Sequence, residues 1–233
     1  MTRSNRRKFL ALAVIGVMTA ACSRVEPSEN LMDISECDPE TARFTLEIDN
    51  PFLPLPVGRQ LVLEGRSFFF KDELVRITVL DEVETVAGVQ TRVVEEYEEE
   101  DGRVVEVSRN FFAQTSGGTV CYFGEEVDDY DSEGNVVSHS GGWRAGGANL
   151  PGIFMPGDLA VGQAFQQEVA PGIAEDQAKV IALGEVAEVP AGTFEDTATL
   201  LDQNPLEGGQ DEKVYAAGVG LIVDASVRLT SAT

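Results

Sequence analysis

The sequence predicts an all-β protein: an antiparallel meander that forms a strongly curved sheet or an incomplete barrel from two similar halves. Three observations predict it. Beyond residue 42 apolar and polar residues alternate, turn dipeptides containing glycine interrupt the alternation, and no twelve-residue window past the leader has the period of an amphipathic helix. Because successive side chains of a strand point to opposite faces, this alternation is typical of strands with one buried face.

Residues 1–21 are predicted to be an export signal. Four basic side chains lie within residues 3–8, and the apolar and small residues 9–21 follow. That apolar stretch is shorter than the ~20 residues a helix needs to cross a bilayer, so it is typical of a cleaved signal. The run Arg6-Arg7-Lys8-Phe9-Leu10 also resembles the twin-arginine export signal, although a plain basic region would look similar.

The leader ends in Thr19-Ala20-Ala21-Cys22, which resembles the bacterial lipobox. We therefore predict that the Cys22 thiol carries the lipid, including palmitate, and that residues 22–41 form a polar tether to the membrane. An ordinary cleavage site is the alternative. Ser23, directly after the lipid site, resembles the signal for the outer membrane, so we expect that location if the cell has an outer membrane. Otherwise we expect the outer face of the cytoplasmic membrane.

Charge and cysteine content exclude two classes of protein. The chain has 17 Lys and Arg against 40 Asp and Glu, a formal net charge of -23. Such a body repels a phosphate polyanion, so nucleic acid is excluded as the main partner. Three cysteines are too few for a dense disulfide scaffold.

Cys37 and Cys121 remain after the lipid site, and an exported chain with two cysteines favours a disulfide. The bridge would close a loop of about 84 residues and stabilise the fold by ~4 kcal/mol on the chain-entropy model. Two buried free thiols are the alternative, which twin-arginine export would favour because that cargo folds in a reducing cytoplasm.

The chain resembles itself at an offset of 102–104 residues. Val57-Gly58 matches Val161-Gly162, and Glu82-Val83 matches Glu185-Val186, in the same order and at nearly the same spacing. We predict a first β repeat over 42–147 and a second over 148–233, within one body. A glycine-rich stretch between them carries the single tryptophan, Trp143, which either covers a groove or fills the space between the halves.

The segments 215–222 (YAAGVGLI) and 121–125 (CYFGE), with the pair Asn50-Pro51, resemble a family of exported bacterial β-rich proteins and lipoproteins with a Y-A-x-G-V-G-L-I/V motif. The resemblance covers most of residues 44–226. Its motifs are those of turns and strands, so it implies the fold and the location, and no reaction.

No set of residues predicts a catalytic or metal centre, and no cofactor motif is present. His139 is the only histidine and lies in an alternating run without a G-x-S-x-G elbow, which predicts a surface strand position. Residues 129–134 resemble the start of a calcium loop but lack its terminal glutamate, so a polar hairpin turn is favoured. The acidic run 95–101 is interpreted as a solvated edge that aids solubility.

Three functions compete at this stage. The first is a non-enzymatic envelope lipoprotein whose curved sheet binds an apolar or amphipathic ligand, such as a lipid, in a cavity of at least ~300 Å³. The apolar run 68–70 favours this function. The second is an interaction or scaffold protein of the envelope, with an exposed apolar patch. The third is a hydrolase that uses two carboxyl groups about 5–10 Å apart.

Overall fold

The alternating sequence folds into strands almost throughout, in a computed structural model that describes residues 31–67, 69–206 and 208–233. The predicted signal, Cys22 and the first part of the predicted tether lie outside the described residues, as does Phe68. A short 3-10 helix, η1, spans Ile34–Cys37 and precedes the strands. The strands are β1 (Phe44–Thr45), β2 (Gln60–Arg66), β3 (Asp72–Val86), β4 (Val89–Glu100), β5 (Arg103–Thr115), β6 (Val120–Tyr130), β7 (Val136–Ser138), β8 (Trp143–Arg144), β9 (Gly152–Met155), β10 (Ala164–Gln166), β11 (Gln177–Val189), β12 (Gly192–Gln203), β13 (Gln210–Ala216), β14 (Gly220–Asp224) and β15 (Val227–Ala232).

Within the described residues, these strands form a single antiparallel sheet. Its order is β10, β11, β12, β13, β14, β15, β2, β3, β4, β5, β6, β7, while β1 pairs with β5 and both β8 and β9 pair with β6. Each strand of the meander therefore pairs with its neighbour in sequence, except where β15 pairs with β2. This confirms the predicted all-β, antiparallel and strongly curved sheet, which does not close on itself. Within the described residues, no helix has the length and apolar character that crossing a membrane requires.

Two-residue turns set the register of the long hairpins. Asp101 and Gly102 connect β4 to β5, and both have a positive φ, 48° and 71°. Ala87 and Gly88 connect β3 to β4 in the same way, with φ of 49° and 80°. Two positive φ angles are typical of the type I′ turn, whose twist matches that of the paired strands. The hairpin predicted from Asp101-Gly102 is confirmed by the pairing of Glu100 with Arg103.

The two predicted repeats contain similar backbone hydrogen bonds. Gly58 N donates to Val79 O at 2.9 Å in the first half, and Gly162 N donates to Val180 O at 2.8 Å in the second. Both glycines have a positive φ, 84° and 90°. These bonds hold the start of β2 against β3 and the segment before β10 against β11. The two bonds lie at matched positions of the proposed repeats, 42–147 and 148–233, and the duplication stays a proposal.

In the described part of the chain, the buried side chains form one hydrophobic core to which most of the strands contribute. Trp143 is buried beneath β6, with its ring 5.5 Å from that of Tyr122, so it packs inside the protein and does not form a loose lid. The predicted tether residues 31–41 also contact the body, since Met32 N donates to Ala164 O at 2.8 Å. The largest fully buried side chains are Phe111, Phe123, Phe165, Leu63, Ile153, Met155, Leu200, Ile222 and Leu229.

Candidate functional site

A cavity of about 180 Å³ lies against the sheet and draws its wall from both halves of the chain. Its volume is smaller than the ~300 Å³ predicted from the sequence, and its wall is only partly apolar. Strands β3–β6 and β12–β14 supply most of the lining, and the segments around residues 53–55, 140–141 and 167–176 complete it. The apolar and aromatic lining residues are Leu53, Leu55, Ile77, Val94, Phe112, Tyr122, Val127, Phe154, Ile173, Ala174, Tyr215 and Leu221.

The register of β4, β5 and β6 arranges the side chains of one face, most of which line the cavity, in cross-strand rows. Alternate residues of each strand share one face, so a row contains one side chain from each strand. The rows change from acidic at one end to aromatic at the other: Glu98, Glu106 and Asp129; Glu96, Ser108 and Val127; Val94, Asn110 and Glu125; Arg92, Phe112 and Tyr122.

Three aromatic rings pack together at one end of the cavity. Phe112 stacks on Tyr122 with ring centroids 4.8 Å apart. Phe154 of β9 meets both rings edge-on, at 4.9 Å from Phe112 and 5.5 Å from Tyr122. Edge and offset contacts of this kind fix the rings relative to one another. The chain therefore holds a rigid aromatic surface facing the cavity.

Polar side chains next to these rings form a short hydrogen-bonded chain. The Tyr122 hydroxyl donates to Asn110 Oδ1 at 2.5 Å, and Asn110 Nδ2 donates to Ser108 Oγ at 2.9 Å. Glu125 stands beside Tyr122, and burial, followed by the nearby charges of Glu168 and Glu106, raises its pKa well above the usual range. A carboxyl group in this environment takes up a proton unless a cation compensates its charge.

The second half of the chain contributes a buried ion cluster opposite these rows. Lys213 Nζ lies 3.0 Å from Asp202 Oδ2. Burial disfavours the charged form of Lys213, but the negative charges of Asp224 and Asp202 outweigh it and raise its pKa well above the usual range. Asp224 is 2% exposed, and burial raises its pKa to about 7, with Lys213 acting in the opposite direction.

Asp224 is expected to make stability depend on pH. Its pKa is higher in the folded protein than in the unfolded chain, so the folded state holds the extra proton and stability falls as pH rises from about 4 to 7. The Asp224→Asn variant lacks this ionisation. From pH 5 to pH 8, the unfolding free energy of the variant should therefore rise relative to that of the wild-type protein. Urea denaturation at both pH values measures this. An identical pH dependence in both proteins would contradict the assignment.

The structure brings together Cys37 and Cys121, the two cysteines predicted to form a disulfide. The sulfur atoms of Cys37 and Cys121 lie at bonding distance, and their Cα atoms are 5.7 Å apart. Both residues are fully buried, at the junction between η1 and β6. Glu36 adds a second connection there, because its Oε2 accepts a hydrogen bond from Thr119 Oγ1 at 3.0 Å. Cys22, the predicted lipid site, lies outside the described residues.

The remaining predicted positions lie away from the cavity or play local roles. His139 is exposed just after β7, and its Nδ1 lies 2.7 Å from Asp128 Oδ1. In the acidic turn, Asp131 Oδ1 accepts hydrogen bonds from the backbone of Glu133 and Asn135, at 2.8 and 3.0 Å, which stabilises a hairpin turn. Residues 31–67, 69–206 and 208–233 contain no group of three or more histidine, cysteine or acidic side chains placed to hold a metal ion.

The interpretation of residues 95–101 as a solvated edge is wrong for alternate members of the run. Glu96 lines the cavity. Burial raises the pKa of Glu96, and it raises that of Glu98 well above the usual range, with Glu96 and Glu106 contributing to the latter. Tyr97 on the opposite face instead packs under Arg76, whose guanidinium carbon lies 4.5 Å from the ring centroid. Sequence reasoning missed the inward glutamates, although the register after the Asp101-Gly102 turn contains the signal.

The apolar run 68–70 does not line the cavity in its described part. Phe69 and Phe70 are 64% and 82% exposed at the turn between β2 and β3. They therefore give no support to an interior ligand. As exposed aromatic side chains, they instead favour the second function, an interaction or scaffold protein of the envelope.

Comparison with known proteins gives two distant structural likenesses. No protein-family model and no curated protein sequence matches the chain. A crystal structure of a predicted exported protein with a YmcC-like fold from Bacteroides fragilis is 12% identical, with a TM-score of 0.36, over 79% of this chain and 99% of that one. A predicted lipoprotein from Parabacteroides distasonis is 14% identical, with a TM-score of 0.38 and the same coverage. At these scores neither likeness bears on location or function.

Proposed function

We propose that this protein is a lipid-anchored component of a bacterial cell envelope and that its cavity binds a small amphipathic molecule without catalysing a reaction. The observation that carries the ligand proposal is the mixed wall of the cavity. Aromatic and aliphatic side chains such as Phe112 and Ile77 face the same space as the carboxyl groups of Glu96 and Asp224. Ligand sites typically combine an apolar wall with a few polar groups that fix orientation.

The cavity size narrows the class of ligand. A volume of about 180 Å³ is below the range of about 300–1,000 Å³ usual for drug-sized ligands. A whole phospholipid is too large for this space, so we replace the lipid of the first hypothesis by a smaller molecule. The acidic wall also disfavours a purely apolar ligand, since carboxyl groups next to hydrocarbon lose hydration without compensation.

Native mass spectrometry of the protein purified from its own host tests this proposal. We expect an adduct of small mass that disappears on denaturation. In the Ser108→Phe variant the adduct should be lost, because Ser108 is buried on the cavity wall and a phenyl ring there fills the space. Ser132→Phe, at an exposed turn position, is the matched control and should keep the adduct. A bare wild-type protein would reject the ligand proposal.

The lipid anchor has a separate test. We expect labelled palmitate to be incorporated into the wild-type protein expressed in bacteria and to be absent from the Cys22→Ser variant. The variant should also leave the membrane fraction, since the acyl chains supply the membrane affinity. Ser23→Ala keeps the thiol and is the control for labelling. Equal labelling of the Cys22→Ser variant would show that the lipid site is elsewhere.

Two alternatives have specific observations in their favour. The exposed rings of Phe69 and Phe70 favour an interaction protein, which predicts a membrane partner lost on replacing both by serine. The cavity carboxyl groups favour a hydrolase, which predicts turnover of glycosides that is abolished by Asp224→Asn.

A further inference from the structure

The cavity wall carries more negative than positive side chains. Lys213 is the one cationic side chain that lines it within the described part of the chain. A charge in a low-dielectric interior costs several kcal/mol unless a partner compensates it. The excess negative charge of these carboxyl groups is therefore neutralised either by protonation or by a bound cation. The carboxyl-bearing lining residues are Glu96, Glu106, Glu125, Asp129, Glu168, Asp176, Asp202 and Asp224.

Within the described residues, buried carboxylate oxygens of this wall lack a hydrogen-bond donor at Asp129, Asp202 and Asp224. Asp224 is 2% exposed, and its Oδ1 has no hydrogen-bond partner among residues 31–67, 69–206 and 208–233. Lys213 compensates part of the Asp224 charge, but its ammonium group lies 3.0 Å from Asp202 Oδ2, and no hydrogen bond from the described residues reaches Asp224 Oδ1. Buried carboxylate oxygens that lack a donor are uncommon in folded proteins, because the lost hydration is not replaced. The cavity thus offers an acceptor suited to an N–H group of a ligand.

The aromatic end of the cavity offers a contact surface for the apolar part of a ligand. The rings of Phe112, Tyr122 and Phe154 lie within 4.8–5.5 Å of one another and face the same cavity. Ring edges and the aliphatic wall, for example Ile77, accommodate the apolar part of the same molecule.

We propose that the ligand is a small protonated amine with an apolar body, held by the Asp224 carboxyl group and the cavity rings. The inference rests on the proposed function and narrows its ligand class. It excludes fatty acids and other anionic amphiphiles, because like charges in a low-dielectric site repel strongly. The ammonium group would donate to Asp224 Oδ1, and the apolar body would pack on the aliphatic and aromatic wall.

Amine binding should tighten as pH rises from 5 to 8. A cation and a proton compete for the same carboxyl groups, and burial raises the pKa of Asp224 to about 7. An alkylamine, with a pKa near the ~10.4 of lysine, stays charged over this range. The charged and titratable groups that face Asp224 come from three strands: Glu96 and Glu98 of β4, Asp202 of β12, and Asp211, Lys213 and Tyr215 of β13.

Calorimetric titration of the full mature protein with three probes of equal chain length tests the inference. Hexylammonium, hexanol and hexanoate differ only in head group. We expect hexylammonium to bind at least about tenfold more tightly than hexanol at pH 8, and hexanoate not to bind. The Asp224→Asn variant should lose that tenfold preference and leave hexanol affinity unchanged. Glu188→Gln removes an exposed carboxylate of β11 and should change neither.

A second variant keeps the test decisive if Asp224→Asn does not fold, as judged by circular dichroism. Phe112→Leu removes a ring that packs on the apolar body, so hexylammonium and hexanol affinity should both fall about threefold or more. In the wild-type protein, the preference for hexylammonium over hexanol should shrink from pH 8 to pH 5, where the proton competes for the carboxyl group. Equal binding of the three probes would overturn the amine inference and leave the cavity function intact. Absence of binding by all three at millimolar concentration would overturn both.

Discussion

Replacing Asn50 by alanine is expected to lower the free energy of unfolding by about 3–4 kcal/mol. Asn50 is 1% exposed, and its side chain is fully hydrogen-bonded. Its Nδ2 donates to Gly118 O and to Pro156 O, both at 2.9 Å. Its Oδ1 accepts from the backbone N–H of Phe52 at 3.0 Å and of Leu53 at 3.2 Å. The substitution would leave Pro156 O, which is buried, and Gly118 O and Phe52 N–H, which are partly buried, without these partners, and each costs about 1 kcal/mol or more.

The position of these bonds explains why the effect should be large. They connect the segment before β2 to the β5–β6 turn and to the residue after β9, so one side chain joins both proposed repeats. Chemical denaturation measures the effect. Asn50→Asp keeps the acceptor but loses both donors, and should destabilise as well, whereas Asn135→Ala in an exposed turn should change stability by less than about 0.5 kcal/mol. A wild-type stability for Asn50→Ala would contradict this role.

Removing the proposed disulfide should have an effect of similar size. The bond would link residues separated by 84 positions, and the chain-entropy model gives about 4 kcal/mol for a loop of that length. The Cys37→Ala, Cys121→Ala double variant should therefore unfold at a lower urea concentration than the oxidised protein.

A reducing agent supplies the control for that prediction. It should destabilise the wild-type protein and leave the double variant unchanged, because only the wild-type protein has a bond to reduce. Thiol titration under denaturing conditions gives the redox state directly. Two free thiols in the freshly purified protein, in addition to any at Cys22, would show that the cysteines are not bridged.

The sheet could be predicted from the sequence because its signals are local. Alternation in β3 to β6 and the pair Asp101-Gly102 depend on neighbouring residues, and these determine both strands and turn type. The position of β15 beside β2 could not be predicted, since it pairs Leu229 with Leu63 across most of the chain. No turn connects these two strands, so no local pattern marks their contact.

Apart from the register of the inward glutamates, the candidate site could not be predicted, and the reason is physical. Glutamates in a strand usually face water, so the acidic run of β4 favours an exposed edge. Glu96 lies on the same face of β4 as Val94, two residues earlier, and both line the cavity. Its proximity to Lys213 depends on strands of the other half. A sequence gives alternation within a strand, but not which distant charges share a cavity.

A crystal structure of the protein purified from its own host, without added ligand, tests the cavity function most directly. The account predicts electron density for a small organic molecule among Phe112, Glu96 and Asp224, with a nitrogen within hydrogen-bond distance of Asp224 Oδ1. Ordered water alone in that space, with Asp224 Oδ1 hydrogen-bonded to it, would contradict the account.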